Sequence, residues 1–273
     1  MTARVLFNGH ASGDMLSQSR ALHYGDGVFR TGLLWRSGLV DADLHWRKLR
    51  QDAARLQLDA PDDAMLNADA QALHRVHGAG VFKLVLTRRA GGRGYASTQS
   101  QTDRLAFWYP LPATGADIWR LGARVRLSDF KLAGSAILAG VKHLNRLEQV
   151  LASRDIGDQD ELILCGANGA LISGTRSNLF IVCNGQLFTP DLSRCGVAGM
   201  MREKIMLIAQ HLNIPLTVSQ ISAAALDQAD EILLCNALNG IWPVRQVGER
   251  QIDAPGPVTQ RLAEQLQHPA WYR

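Results

Sequence analysis

The spacing of apolar residues along the chain predicts a mixture of strands and helices. Residues 5–7 run into an Asn-Gly turn, and residues 81–89 (VFKLVLTRR) alternate along their length, so both segments predict strands. Residues 44–56 carry apolar side chains at helical spacing between charges, and residues 64–76 predict a surface helix. We therefore expect an α+β protein.

The second half of the chain is richer in predicted strands. Residues 119–127 alternate apolar and polar side chains and predict a strand. Residues 161–173 read as strand, turn, strand, and residues 174–182 continue into a further strand. Residues 258–266 predict a closing helix.

One stretch has the composition of a linker. It is PLPATG at residues 110–115, in which Pro and Gly interrupt the predicted strands on either side. We therefore predict a first domain of residues 1–110, a linker of residues 111–116 and a larger domain of residues 117–273.

Composition narrows the class of protein. The 273 residues are 47% apolar and 20% charged, which is ordinary for a globular protein, and the net charge is +4. The arginines are scattered and form no basic stripe interleaved with aromatics, so we expect no nucleic-acid partner. We find no secretion signal and no apolar run that could span a bilayer, and we expect a cytoplasmic protein without a membrane partner. No metal site or disulfide framework is expected, because four cysteines are widely spaced: Cys165, Cys183, Cys195 and Cys235.

Lys142 is the leading candidate for chemistry. Lysine is scarce, with five residues in the chain, whereas most basic charge is Arg. Lys142 follows an apolar, glycine-punctuated run and opens an amphipathic segment. A lysine can lose its proton, form a Schiff base and act as a base, which an arginine cannot. On the residues alone, a solvated lysine at a helix start remains the alternative.

The segment around Lys142 carries a family resemblance. Residues 138–150 (LAGVKHLNRLEQV) closely resemble the lysine segment of the aminodeoxychorismate lyases, which are pyridoxal-phosphate (PLP) enzymes of the class IV aminotransferase fold. Residues 235–238 (CNAL) resemble the lyases, where transaminases of this class often have Gly-Thr-Ala. The resemblance implies a small α/β domain, a larger barrel-like domain, a site in the cleft between them and a homodimer.

The resemblance also implies the cofactor contacts. Lys142 would hold PLP and remove the proton from the amine-bearing carbon. Residues 45–49 match the family's HxxRL pattern with Lys48 at the position of the phosphate-binding Arg, while Arg47 points about 100° away on a helix. A glycine-rich turn before a helix would bind phosphate through backbone N–H groups. The remaining positions carried over are Met200 and Met201 at that turn and Asn236 and Ala237 in the last active-site loop.

Two glycine-containing motifs supply candidate substrate contacts. HYGDGVF at residues 23–29 and GGRGY at residues 91–95 match family segments beside the active site, although each alone is also compatible with an ordinary turn. Arg30 stands where the lyases usually carry Glu or Thr. The candidates to meet an anionic substrate and its ring are Tyr24, Lys83, Arg93 and Tyr95.

Ser173 departs from the family in a chemically informative way. The family has a Glu here that pairs with the protonated pyridine nitrogen, which strengthens the ring as an electron sink. A neutral hydroxyl makes the ring a weaker electron sink. Transamination suffers more from this than an elimination, in which a good leaving group takes up the electrons. We therefore expect a 4-amino-4-deoxychorismate lyase that forms 4-aminobenzoate and pyruvate for folate synthesis. The alternatives are a class IV amino-acid transaminase and a degenerate homologue that uses PLP weakly or not at all and serves as a binding or regulatory protein.

Overall fold

A computed structural model defines the fold. It describes residues 4–11, 18–91, 93–97, 99–112 and 116–272. Contacts divide the chain into unit 1, which is Met1–Pro112 with Val141–Asn145, and unit 2, which is Ala113–Gly140 with Arg146–Arg273. This division groups Lys142 with unit 1, whereas the sequence prediction assigned it to the larger domain. Residues 113–115 of the predicted linker lie outside the described residues. Along the described segments, no helix has the length and apolar character needed to cross a membrane.

Unit 1 is built on an antiparallel sheet, for which the described residues supply five strands. In spatial order these are β1 (Val5–Phe7), β5 (Thr102–Tyr109), β4 (Gly80–Arg88), β2 (Gly27–Trp35) and β3 (Gly38–Leu39). The predictions of strands at residues 5–7 and 81–89 are confirmed. Phe82, Leu84 and Leu86 alternate along β4 and are buried in one cluster, because successive side chains of a strand point to opposite faces.

Three helices belong to unit 1 in its described part: α1 (Arg20–Tyr24), α2 (Ala42–Arg55) and α3 (Asp63–His77). The two helices predicted from apolar spacing are confirmed as α2 and α3. At the start of α3 the Asp62 carboxylate accepts the Met65 N–H, which satisfies an otherwise unpaired donor of the first turn. Trp46 and Leu49 on α2 and Leu66 on α3 are fully buried against the β4 cluster.

Unit 2 is built on a mixed sheet, for which the described residues supply nine strands. In spatial order they are β11 (Leu216–Ser219), β10 (Gln186–Pro190), β9 (Asn178–Cys183), β12 (Glu231–Asn236), β13 (Gly240–Val247), β6 (Ala123–Leu132), β7 (Glu161–Gly166) and β8 (Leu171–Gly174), with β14 (Arg250–Gln251) paired to β13. The pairs β6–β7, β6–β13 and β10–β11 are parallel and the others are antiparallel. The strand predictions at residues 161–173 and 174–182 are confirmed in type.

The described helices of unit 2 are α4 (Ala116–Leu121), α5 (Leu147–Ser153), α6 (Met200–His211), α7 (Ala225–Gln228) and α8 (Pro257–Leu266), followed by a 3₁₀ turn (Pro269–Tyr272). The predicted closing helix is confirmed as α8. Its first turn is anchored by the buried Glu231 carboxylate of β12, which accepts the N–H groups of Val258 and Thr259. A carboxylate at a helix N-terminus also interacts favourably with the helix dipole.

The prediction of one strand over residues 119–127 is wrong at its start. Residues 119–121 belong to α4, and the strand β6 begins only at Ala123. Gly122 separates the two elements with φ of +76°, a left-handed conformation that favours glycine and ends helices. The alternation of apolar and polar residues in this short segment is compatible with a helix and with a strand. Gly122 marks where the helix ends and the strand begins.

Candidate active site

The backbone of Lys142 is held from two sides by unit 1. Its N–H donates to the Asp52 carboxylate on α2 (N to Oδ2, 3.0 Å), and its C=O accepts the N–H of Phe29 on β2 (3.0 Å). The neighbouring Leu144 N–H donates to the Gly27 carbonyl (3.0 Å), so the lysine segment runs beside the first residues of β2. The helix α5 begins only at Leu147, and Lys142 therefore projects from a fixed extended segment rather than from a helix start.

The amine of Lys142 lies over an aromatic ring. Its Nζ is 4.4 Å from the centroid of Phe29, and the Nζ of Lys83 is 5.3 Å from the same centroid. A cation over a ring face is attracted by the ring quadrupole. The two nitrogens therefore lie within about 10 Å of each other. Lys83, a predicted substrate contact, is thus placed near Lys142.

One face of α2 presents polar side chains to the interior of unit 1. His45, Lys48 and Asp52 are three and four residues apart, which places them on one side of a helix. All three are at least nine-tenths buried, whereas Arg47 is exposed. The match to the HxxRL pattern places Lys48 at the position of the phosphate-binding Arg. Lys48 is the buried basic residue of this helical turn, and Arg47 is not.

Arg30 joins this face from the neighbouring strand. Its buried guanidinium donates to the backbone carbonyl of Lys48 (Nη2 to O, 2.8 Å) and forms an ion pair with Asp52. The Asp52 oxygen that receives Arg30 is the one that accepts the Lys142 N–H. Arg30 and Asp52 thus connect the two lysines that were predicted to hold the cofactor at opposite ends.

His45 is a neutral member of the cluster. Burial, together with the positive charges of Arg30 and Lys142, lowers the pKa of its imidazole to about 3. Within the described part of the chain its Nδ1 has no hydrogen-bond partner. Its other ring nitrogen packs on Gly32, where an added Cβ would come within 2.7 Å. His45 therefore adds bulk and polarity here without adding charge at neutral pH.

The predicted substrate loop is attached to α1. Arg20 donates to the carbonyls of Gly94 (2.9 Å) and Tyr95 (3.1 Å), and the Tyr24 hydroxyl accepts the Gly94 N–H (3.0 Å). The rings of Tyr24 and Tyr95 meet edge to face at 5.5 Å, while the Tyr95 side chain is 88% exposed and Arg93 is also exposed. These contacts bring Tyr24 together with Tyr95, in the loop that also carries Arg93. The sequence reasoning missed Arg20.

Ser173 of unit 2 is buried near the end of β8. Its hydroxyl donates to the carbonyl of the next residue, Gly174 (2.8 Å). The closest carboxylate along this hairpin, Glu161, is fully buried and accepts the backbone N–H groups of Thr175 and Arg176 and the Ser177 hydroxyl. Glu161 is therefore committed to the turn after β8, and position 173 itself offers a neutral hydroxyl.

Met200 and Met201 open the helix α6. Both side chains are buried, so their contribution to a ligand is the backbone N–H groups of the first turn, which have no partner inside the helix. Gly199 occupies the N-cap position without a side-chain cap. A phosphate group is the type of anion that such a helix start accepts.

Asn178 links the remaining predicted residues of unit 2 and was missed as a functional candidate. Its side-chain amide accepts the Gly199 N–H (3.2 Å) and donates to the Val197 carbonyl (2.7 Å), which shapes the turn before α6. Asn178 also pairs with Cys235 across β9 and β12, immediately before Asn236. The side-chain oxygen of Asn236 accepts the backbone N–H groups of Leu238 and Asn239 and so closes a turn. The half-buried Ala237 lies within this turn.

The comparisons with known proteins agree with this arrangement. The family model for class IV amino-transferases matches residues 27–247, and the chain belongs to that family. Within it, the chain is 31% identical to an aminodeoxychorismate lyase of Vibrio harveyi over 90% of this chain and 93% of the relative. The crystal structure of 4-amino-4-deoxychorismate lyase from Pseudomonas aeruginosa is 36% identical, with a TM-score of 0.90 over 96% of this chain and 98% of that one.

A transaminase shares the fold at a greater distance. The structure of the Escherichia coli branched-chain amino acid aminotransferase is 25% identical, with a TM-score of 0.84 over 98% of this chain and 94% of that one. The predicted class IV fold is therefore confirmed, and so is the resemblance to the lyases. Among the residues that the structure describes, no group of three or more His, Cys, Asp or Glu could hold a metal ion.

Proposed function

We propose that this protein is a PLP-dependent carbon–oxygen lyase that converts 4-amino-4-deoxychorismate into 4-aminobenzoate and pyruvate in folate biosynthesis. The main structural support is Lys142, whose main chain is held at both its N–H and its C=O. The lysine segment, the CNAL loop and the similarity to two lyases support the reaction class.

The residues present fit the cofactor. The buried Lys48 in unit 1 and the first turn of α6 in unit 2 each supply donors of the kind that bind a phosphate group. The Ser173 hydroxyl would face the ring nitrogen. Asn236 and Ala237 would line the cofactor from the last loop. When bound, PLP supplies an electron sink for the carbon that carries the substrate amine.

Lys142 would act as the base at that carbon. Its Nζ would accept the proton in its neutral form. The bond between the ring carbon and the enolpyruvyl oxygen would then break, so that the ring becomes aromatic and the released enolpyruvate takes up a proton on carbon to become pyruvate. Lys83 and Arg93 would bind the carboxylates of the substrate, and Tyr24 and Tyr95 would contact its ring. The hydroxyl at Ser173 supplies no negative charge to a protonated ring nitrogen, which suits elimination better than transamination.

The first experiment asks whether Lys142 binds the cofactor. The full chain is purified with PLP, and its visible absorbance is recorded before and after borohydride for wild type, Lys142→Ala and the exposed-lysine control Lys131→Ala. We expect a borohydride-sensitive band in wild type and Lys131→Ala but none in Lys142→Ala. A spectrum that Lys142→Ala leaves unchanged contradicts the proposal, and absence of the band in all three supports the degenerate homologue.

The second experiment separates the two reaction classes. Release of pyruvate and 4-aminobenzoate from aminodeoxychorismate is measured beside amino transfer from branched-chain amino acids to 2-oxoglutarate. We expect the first activity to dominate by at least a factor of about 100, since the two differ in the sink that Ser173 provides. Dominant amino transfer would make the protein a transaminase. The homodimer that the family resemblance implies is part of the proposal and is tested by light scattering.

A further inference from the structure

We propose that the buried Arg30–Asp52 ion pair is a positioning device for Lys142, which fixes its main chain and sets the basicity of its amine. The inference rests on the proposed role of Lys142 as the reactive amine. Arg30 and Asp52 lie outside the motifs of cofactor binding, and their task in the reaction would be to position Lys142.

The positioning part follows from one carboxylate oxygen. Asp52 Oδ2 accepts both the Lys142 N–H (3.0 Å) and the Arg30 guanidinium. A hydrogen bond to an ionised acceptor is stronger than one between neutral groups. Because Asp52 is 4% exposed and Arg30 is 2% exposed, water cannot readily replace either partner. The guanidinium also donates to the carbonyl of Lys48, so α2, β2 and the lysine segment are joined at a single point.

The electrostatic part follows from the balance of charge around the amine. Among the described residues of unit 1, the titratable or charged groups near Lys142 include Arg30, His45, Lys48, Asp52, Lys83 and His143. His45 is neutral, because burial and the positive charges nearby lower its pKa to about 3. The Asp52 carboxylate offsets the charge of Arg30. If either member of the pair is removed, the charge of the other acts on Lys142 without compensation.

The pair also explains a departure from the family pattern. Arg30 replaces the Glu or Thr usual in the lyases, and β2 directs its side chain into the interior beside α2. An uncompensated buried guanidinium is costly and would lower the pKa of a neighbouring lysine strongly. Asp52, four residues after Lys48 on the buried face of α2, supplies the compensating charge. The identities of these two residues are therefore physically coupled.

A double-mutant cycle tests the proposal without using enzyme activity. Acetic anhydride labels the full chain, free of cofactor, as a function of pH, and mass spectrometry then reports the pKa of Lys142 with exposed Lys131 as internal reference. Asp52→Asn keeps an acceptor oxygen but removes the negative charge beside Arg30, so the pKa of Lys142 should fall. Arg30→Met removes the positive charge beside Asp52, so the pKa of Lys142 should rise. Each shift should be about one pH unit or more, which is the scale on which a nearby charge, once uncompensated, moves a pKa.

Three further variants show whether the effect is specific. The double variant Arg30→Met with Asp52→Asn should return the pKa of Lys142 to within about 0.5 units of wild type, because both charges are gone. Asp69→Asn and Arg104→Met break another ion pair of unit 1, with a nitrogen–oxygen distance of 2.6 Å and a buried aspartate. These controls should lose stability without moving the pKa of Lys142. Shifts of equal sign in the two arms, or equal shifts in the controls, overturn the proposal.

Hydrogen exchange supplies a measurement that needs no variant. If Asp52 holds the Lys142 N–H, that amide should exchange at least about 100-fold more slowly in the wild-type chain than an unprotected amide of the same sequence. Unprotected exchange contradicts the positioning role even if the variants fail to fold. The proposed lyase function fails independently, through absence of pyruvate release, so the two failures are distinguishable.

Discussion

The turn after β8 depends on a buried carboxylate, and Glu161→Gln is the change that measures it. Glu161 is fully buried, and both of its oxygens accept hydrogen bonds. Oε1 receives the N–H groups of Leu162 and Thr175, each at 3.0 Å, and the Thr175 hydroxyl. Oε2 receives the Arg176 N–H at 3.2 Å and the Ser177 hydroxyl at 3.1 Å. A glutamine has the same shape but replaces one acceptor oxygen by an NH₂ donor.

The magnitude follows from the donors that lose their acceptor. Whichever way the amide is oriented, a backbone N–H of the turn faces the new NH₂, and a second donor of that oxygen loses its acceptor or must rotate away. Hydrogen bonds to a charged group contribute about 1.5–3 kcal/mol each when buried. We therefore expect Glu161→Gln to lower the free energy of unfolding of unit 2 by about 3–5 kcal/mol, a large part of the stability of a typical domain.

Urea denaturation followed by circular dichroism measures this loss. The exposed-carboxylate control Glu249→Gln should change the unfolding free energy by no more than about 0.5 kcal/mol. The turn leads directly to Asn178, which shapes the start of α6, so Glu161→Gln should also weaken PLP binding. A loss below about 1 kcal/mol with the slope in urea unchanged would refute the reasoning, because it would mean that the buried donors are satisfied without a charge.

Three further expectations test single features of the site. Lys48→Met should weaken PLP binding by at least about 10-fold, as measured by titration of the visible absorbance, whereas Lys48→Arg should retain binding. The exposed control Arg47→Met should leave binding unchanged. Equal effects of Lys48→Met and Arg47→Met would contradict the buried phosphate contact. Ser173→Glu should raise the ratio of amino transfer to pyruvate release by about 10-fold or more, since a carboxylate strengthens the sink; an unchanged ratio in paired assays removes Ser173 from the argument. The pKa of His45 is about 3 in the folded chain and about 6.5 in the unfolded chain. Between these pH values the unfolded chain therefore binds one more proton than the folded chain. The free energy of unfolding should fall by about 1.4 kcal/mol for each unit that the pH falls through this range. His45→Gln should remove that part of the slope in denaturation curves taken from pH 7 to pH 4, and an identical slope contradicts the buried neutral imidazole.

Local patterns predicted much of unit 1. Apolar spacing located α2 and α3 to within about two residues, because each helix must bury one face along its length. The match to the HxxRL pattern favoured Lys48 over Arg47, and in the structure Lys48 is buried whereas Arg47 is exposed. The strand prediction at residues 119–127 was wrong because a short alternating segment fits a helix as well as a strand, and only Gly122 marks the change.

The sequence by itself determined the family, the candidate lysine and the neutral residue at position 173, because these lie in contiguous motifs. The link between Lys142 and Asp52 could not be read in the same way. It joins residues 90 positions apart, and its partner Arg30 looked like an isolated departure from the family. A buried carboxylate is tolerated only where folding brings it a positive charge and N–H donors, and the local sequence of α2 contains no information about those partners. Only the tertiary structure places β2, α2 and the lysine segment around one carboxylate oxygen, and that placement decides how Lys142 is held.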